Sequence, residues 1–310
     1  MATYLLYIIG RGHSGSTMLD AMLGNADQIE SVGELVSGMG RYDALCSCGE
    51  AFGNCPFWAE VRQRFEENAG VSWNEAVRAS RGQAHIKRFP STLFAPAHAQ
   101  WVRRLKGFSE YIAGAISRSG TAKKEMVVDS SKEITRALFL LRFVPGSRII
   151  HLVRHPEKVL QSNYYRLKKG SGFKFLRMHF MPRAWFGPFL LASATSWVIG
   201  NLLSEVVRKF GRDRFLRVRY EDLISSPIEE LDRIEKFIGV SLNDVKRKVR
   251  EKAAFEVGHN IGGNYMRMQG SFVLDPKKAS RGGLPERYVF MVNAICWPLF
   301  LAYGYCSRKS

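Results

Sequence analysis

Residues 5–23 constrain this chain more than any other stretch. They read Leu5-Leu6-Tyr7-Ile8-Ile9, then Gly10-Arg11-Gly12-His13-Ser14-Gly15-Ser16, then Thr17-Met18-Leu19-Asp20-Ala21-Met22-Leu23. The first five residues are a continuous apolar run, as expected of a strand buried on both faces. The middle is a turn of glycine and serine, and Met18, Leu19, Met22 and Leu23 recur at helical spacing. Strand, glycine-rich loop and helix together make a phosphate site. Small residues let the backbone approach an anion, and the unpaired N–H groups at the helix start point toward it. The spacing of Gly10 and Gly15 matches the nucleotide P-loop, but Ser16 stands where that motif has its lysine. The loop therefore suits a phosphate-like group other than the end of ATP. The plainer alternative is an ordinary βα turn with incidental glycines.

Further strand-to-helix junctions occur later in the chain. Met126-Val127-Val128-Asp129-Ser130-Ser131-Lys132 leads into a helix whose apolar face holds Leu138, Leu141 and Val144 and which Pro145-Gly146 ends. Ser130 or Ser131 is placed to cap it. Residues 147–153 form a buried strand, broken by Arg154-His155-Pro156 and succeeded by a helix from about residue 157 to 166. Residues 214–219 form another strand, closed by Tyr220-Glu221-Asp222-Leu223, and Pro227 opens a helix that ends at Gly239. A late polar loop, Gly258-His259-Asn260-Ile261-Gly262-Gly263-Asn264-Tyr265-Met266-Arg267, offers backbone N–H groups and Arg267 to an anion. Strands alternating with helices predict an α/β fold with a mostly parallel central sheet flanked by helices. Ligands bind such sheets at the C-terminal strand ends, where the glycine loop, Asp129-Ser130-Ser131-Lys132 and Arg154 all fall.

The 310 residues are read as one domain. Residues 59–120 form a variable helical region, in which Trp101, Leu105, Phe108, Ile112 and Ala115 step as a core-facing stripe and residues 80–96 read as a loop. Residues 186–200 read as a buried helix, and residues 286–306 as an apolar C-terminal helix whose basic flank, Arg308-Lys309, also suits a membrane surface. The net charge of +18 calls for an anionic partner. The aromatics fall in apolar segments rather than along a basic stripe, which argues against nucleic acid. The N-terminal apolar run lacks a basic leader and a small-residue cleavage site, so the expected location is cytoplasmic. Cys46, Cys48 and Cys55 are close enough for zinc, but no fourth ligand is evident nearby and the spacing fits no common finger. The segment reads as a small reduced structural loop, with no metal expected.

Taken together, these motifs resemble the sulfotransferases that use 3′-phosphoadenosine-5′-phosphosulfate. In that family the first glycine loop, here Arg11, Gly12, His13, Ser14, Gly15, Ser16 and Thr17, holds the 5′-phosphosulfate. An arginine ending a strand and a serine eight residues on hold the 3′-phosphate; Arg154 and Ser162 match them. Asn264 and Arg267 fall where related enzymes have a late cofactor-binding loop. The likeness is greatest to bacterial sulfotransferases, and more distant to tyrosylprotein and carbohydrate sulfotransferases. Those enzymes carry a Gly-Glu after the first helix whose glutamate is the catalytic base, and Gly33-Glu34 sits in the matching place. Many relatives have arginine where this chain has His13, which offers an anion one hydrogen bond rather than a fork.

The resemblance implies a P-loop-like sulfotransferase fold and transfer of a sulfuryl group to an acceptor hydroxyl, releasing adenosine 3′,5′-bisphosphate. Glu34 is the expected base, and Lys132, with His13 second, the cation that meets charge on the leaving phosphate. The basic residues Lys168, Lys169, Lys174, Arg177 and Arg183 of segment 168–185 point to a carbohydrate or glycolipid acceptor, with peripheral membrane contact. The competing readings are a P-loop-type kinase or NTPase, disfavoured by Ser16, and a non-catalytic binder of acidic polymers.

Overall fold

The computed structural model describes residues 3–120, 123–168, 185–275 and 283–305. Its central sheet has five strands: β1 (Tyr4–Ile9), β2 (Ile29–Ser31), β3 (Met126–Lys132), β4 (Arg148–Val153) and β5 (Phe215–Arg219). They pair in the order β2-β3-β1-β4-β5, every pair parallel. The chain leaves β1 toward β2 and β3 on one side, then crosses to β4 and β5 on the other. The switch of direction opens a crevice beside the C-terminal end of β1, where such sheets bind ligands.

The apolar run of β1 feeds two cores by strand alternation. Leu5, Tyr7 and Ile9 face one core with Val127 and Ile149, while Leu6 and Ile8 face the other with Val128, Ile150 and Val218. The first core is covered by α3 (Pro56–Ala69), α4 (Trp73–Ala84), α6 (Gln100–Arg118) and α7 (Ile134–Phe143). The second is covered by α1 (Ser16–Leu23), α11 (Pro227–Ile238) and α12 (Asn243–Glu251). The short helices α2 (Leu35–Gly38), α5 (Phe89–Leu93) and α10 (Tyr220–Ser225) lie between these elements. Gly239 caps α11 in the left-handed conformation, as its sequence predicts.

A third cluster joins α8 (Pro156–Lys168), α9 (Phe186–Gly211) and α13 (Glu286–Tyr303) through Leu160, Leu190, Trp197, Val292, Leu299 and Phe300. By length and composition alone, the helix over Phe186–Arg214 could cross a membrane, and 39% of its apolar window is buried. It is less buried than its sequence suggests: Ile199 is 53% and Leu202 50% exposed, and on α13 Phe290 and Trp297 also face out. The two-stranded antiparallel pair β6 (Phe255–Glu256) and β7 (Ser271–Phe272) closes the base of the late polar loop.

Three local expectations change. Residues 80–96 are not a loop: α4 runs to Ala84, a 3-10 turn covers Ile86–Arg88, and α5 comes next. Pro90 occupies the first turn of α5, where a missing N–H costs nothing, and Phe89 and Thr92 anchor it inward. Neither Ser130 nor Ser131 caps α7, because β3 continues through both and Glu133 takes the cap position without a side-chain bond. In the stripe of α6, Trp101 at its start is 39% exposed while the four later members are buried. Most of segment 168–185, including Lys169, Lys174, Arg177 and Arg183, lies outside the described residues.

Candidate active site

The glycine loop runs from Gly10 to Gly15 between β1 and α1. Gly15 has φ +97°, and a Cβ there would stand 2.5 Å from the Tyr220 ring, so the position requires glycine twice over. Gly12 differs, since a Cβ there would meet no atom within 4 Å. Gly15 caps α1 without a side chain, and helix geometry leaves the first N–H groups, those of Ser16 and Thr17 included, without a carbonyl behind them. The Ser14 hydroxyl is buried and has no partner. Buried polar atoms are normally paired, so this orphan marks a place built for an acceptor. His13, within the loop, and Lys132, at the end of β3, hold left-handed backbones, φ 69° and 70°. Such strain costs about 1–3 kcal/mol per residue and clusters at ligand-binding sites.

The strand ends supply charge. Lys132, at the end of β3, pairs its ammonium with Glu34 Oε1 and stands 3.4 Å from Ser16 Oγ at the start of α1. Glu34 is set by its backbone: its N–H donates to Ile261 O at 2.7 Å. Asp129 pins the start of α2 to the end of β3, accepting from the N–H of Leu35 at 3.3 Å and of Ser131 at 2.9 Å. Ser131 Oγ in turn accepts from Val36 N–H at 2.9 Å. The two serines read from sequence as helix caps thus belong to a strand end whose Ser131 hydroxyl holds the Glu34 turn. Burial pushes the Asp129 carboxyl up to about 6. Glu133 is raised as well, first by burial and then by the charge of Glu34.

Arg154, at the end of β4, donates from Nη1 to His13 O at 2.9 Å and lies 4.2 Å from the Tyr220 ring centre. Its Nε is buried without a partner. Tyr220 therefore fills the space between Gly15 and Arg154, a role not apparent from its place at a strand end. Ser162 is half-buried in the second turn of α8. Arg11 turns away from the loop: its Nη2 donates to Ser196 Oγ of α9 at 2.6 Å, and Gly200 of α9 admits its stem.

The late loop returns to the same place. Asn264 N–H reaches Thr17 Oγ1 at 3.4 Å, and its side chain accepts from Met266 N–H. Gly263 lies against both Thr17 and Glu34. Arg267 Nη1 binds Leu45 O at 2.8 Å and Asn260 O at 3.4 Å, so this nitrogen holds the loop rather than a pocket anion. A buried network of Asn260, Asp20 and Ser31, to which the sequence alone assigned no role, fixes the loop. Asn260, fully buried, donates to Asp20 Oδ2 at 3.0 Å and accepts from Ser31 Oγ at 3.0 Å. The only signal in the sequence was an acid, Asp20, among the apolar positions of α1.

The structure thus brings Ser14, Gly15, Ser16, Thr17, Glu34, Lys132, Arg154 and the Asn264 backbone to one crevice. Orphaned donors, left-handed turns and two cations suit a phosphate-bearing nucleotide with a carboxylate beside it. A family profile described as the sulfotransferase family matches residues 6–244. A search among curated proteins found no match. Among solved structures, a sulfotransferase from Mycobacterium avium superposes with TM-score 0.51 at 13% identity, covering 97% of this chain and 77% of that one. A sulfotransferase domain from the curacin biosynthetic pathway gives TM-score 0.50 at 16% identity, covering 96% and 98%. At these identities the likeness speaks to the fold alone.

Proposed function

We propose that this chain, which belongs to the sulfotransferase family, transfers a sulfuryl group from 3′-phosphoadenosine-5′-phosphosulfate to a hydroxyl of a carbohydrate or glycolipid. The observation that carries the reading is the Lys132–Glu34 pair set against the first turn of α1 and its unpartnered Ser14 hydroxyl. The donor supplies the activated sulfur. In the step, the acceptor oxygen bonds to sulfur as the bond from sulfur to the phosphate oxygen breaks. The acceptor proton passes to the Glu34 carboxylate. Charge growing on the leaving phosphate meets the Ser16 and Thr17 N–H groups and the Lys132 ammonium, which are already in place. Lys132 is positioned to serve both ends, because one ammonium touches the base and the helix start.

Arg154 and Ser162 would take the 3′-phosphate, and the free Nε of Arg154 gives the guanidinium a donor to spare beyond His13 O. His13 contributes through its carbonyl and strained backbone rather than as the charged fork many relatives have. The net charge of +18 and the outward apolar side chains of α9 and α13 support an anionic acceptor offered at the cytoplasmic face of a membrane.

The test is transfer of radiolabelled sulfuryl from the donor to a panel of glycans, glycolipids, tyrosine peptides and small alcohols. Label in a glycan or glycolipid is the expected result. Label only in peptide or metabolite would overturn the acceptor, and magnesium-dependent ATP hydrolysis without any transfer would overturn the reaction.

A further inference from the structure

Cys46, Cys48 and Cys55 do not stand alone. His259, on the late loop, brings its Nδ1 among the three sulfurs, and the four donor atoms lie within 4.8 Å of one another. The spacing is informative. Tetrahedral zinc, with Zn–S of about 2.3 Å and Zn–N of about 2.0–2.1 Å, separates sulfurs by about 3.8 Å and sulfur from nitrogen by about 3.6 Å. Here Cys48 and Cys55 sulfurs are 3.6 Å apart, and Cys55 and Cys46 sulfurs 3.9 Å. His259 Nδ1 is 3.4 Å from Cys55 Sγ and 3.8 Å from Cys46 Sγ. A disulfide needs sulfurs at about 2.04 Å, and all three cysteines are free thiols.

The surroundings are built to hold these donors. Residues 46–49 turn tightly, with Gly49 N–H on Cys46 O at 3.0 Å and Gly49 in the left-handed region. Cys55 sits at the N-terminus of α3 with Pro56 after it. The imidazole of His259 stacks on Phe57 at 4.7 Å between ring centres and 5° between planes, and Trp58 Nε1 donates to His259 O at 2.9 Å. Ser47 Oγ donates to Gly258 O at 2.6 Å and accepts from Asn260 N–H at 2.7 Å. Outer partners of this kind fix ligand orientation in metal sites.

We infer that Cys46, Cys48, Cys55 and His259 bind one structural zinc ion. Three thiolates and one imidazole form a closed set with no open position, so the ion takes no part in the transfer chemistry. Its effect is mechanical. It would staple segment 46–55 to the loop at 258–267, and that loop supplies Ile261 O to the Glu34 N–H and Gly263 to the wall beside Glu34. The metal would thus back the base from outside the crevice.

The test is elemental analysis of untagged protein from zinc-replete cells, with metal-free buffers. About one zinc per chain is expected, along with thiolate-to-metal charge transfer when cobalt(II) replaces it. The exposed Cys48 can be changed without cutting the core; Cys48→Ser should lose most of the zinc, and His259→Cys should keep it. Stripping the zinc should lower the melting temperature by on the order of 5–10 °C. Wild-type protein with little zinc and no cobalt spectrum would overturn the inference, as would unchanged metal content in Cys48→Ser. Zinc content is read without turnover, so this result and the sulfotransferase reading stand or fall separately.

Discussion

Replacing Glu34 by Gln tests the chemistry most sharply, because the substitution keeps shape and removes charge. The backbone bond of Glu34 to Ile261 O is untouched, and an amide still receives Ser37 Oγ, now 3.3 Å from Oε2. The pair with Lys132 is lost. Each side chain is 19% exposed, between a surface pair worth about 0–1 kcal/mol and a buried pair whose breaking costs about 3–5 kcal/mol. The expected stability loss is about 1–3 kcal/mol, small enough to leave the protein folded. Turnover is a different matter. Loss of a general base removes about 10²–10⁴ in rate, or about 2.7–5.5 kcal/mol of barrier. Affinity for adenosine 3′,5′-bisphosphate should hold or rise, since Lys132 loses its counter-charge while remaining beside Ser16. Lys132→Met should lower affinity and turnover together. Calorimetric titration gives the affinity, and bisphosphate release with a soluble model alcohol gives the rate. Glu34→Gln protein that turns over within tenfold of wild type, or that loses affinity as fast as rate, would refute the assignment.

The same geometry sets other outcomes. Gly15→Ala should abolish bisphosphate binding, since its Cβ meets the Tyr220 ring on a left-handed backbone, whereas Gly12→Ala should bind within a few-fold of wild type; equal losses in titration would contradict the loop account. Arg154→Ala should weaken bisphosphate binding by about 10–150-fold, the worth of a charged hydrogen bond of about 1.5–3 kcal/mol, with less effect on ADP. Burial lowers the His151 imidazole to about 4, and its ring donates from Nε2 to Asn201 Oδ1 at 3.0 Å. The unfolded chain gains its proton near 6.5 and the folded chain does not until about 4, so this stabilisation is complete above 6.5 and fades as pH falls between those values. About 3 kcal/mol is at stake. Denaturant midpoints from pH 7 to 4 should show that component in wild type and not in His151→Gln, which isolates it from the opposite trend of the raised Asp129 carboxyl.

The parts of the site that were legible in the sequence are those where local chemistry and position agree. An apolar run that stops at glycine can end only in a turn, and Gly10 to Ser16 showed that turn without any partner. Arg154 was visible because it follows a mostly apolar strand, and Lys132 because it stands where the apolar run Met126–Val128 has given way to a polar strand-to-helix junction. The hidden parts depend on distant pairing. Residues 29–31 are too short to read as a strand, and form β2 because β3 offers them an edge. His259 lies 204 positions from Cys55, so no spacing rule joins them. That Arg267 Nη1 donates to Leu45 O, 222 positions away, is equally beyond any local reading. Ser130 and Ser131 resembled helix caps because the strand's length is set by pairing with β1, which local preference does not report.

The central claim is that the crevice at the end of β1 holds a nucleotide bearing a 3′-phosphate. The direct measurement is calorimetric titration of the purified protein with adenosine 3′,5′-bisphosphate, ADP and ATP under one set of conditions. The account predicts tight binding of the bisphosphate, weak binding of ADP, and no preference for ATP. Equal affinity for all three, or tightest binding of ATP with magnesium, would contradict it.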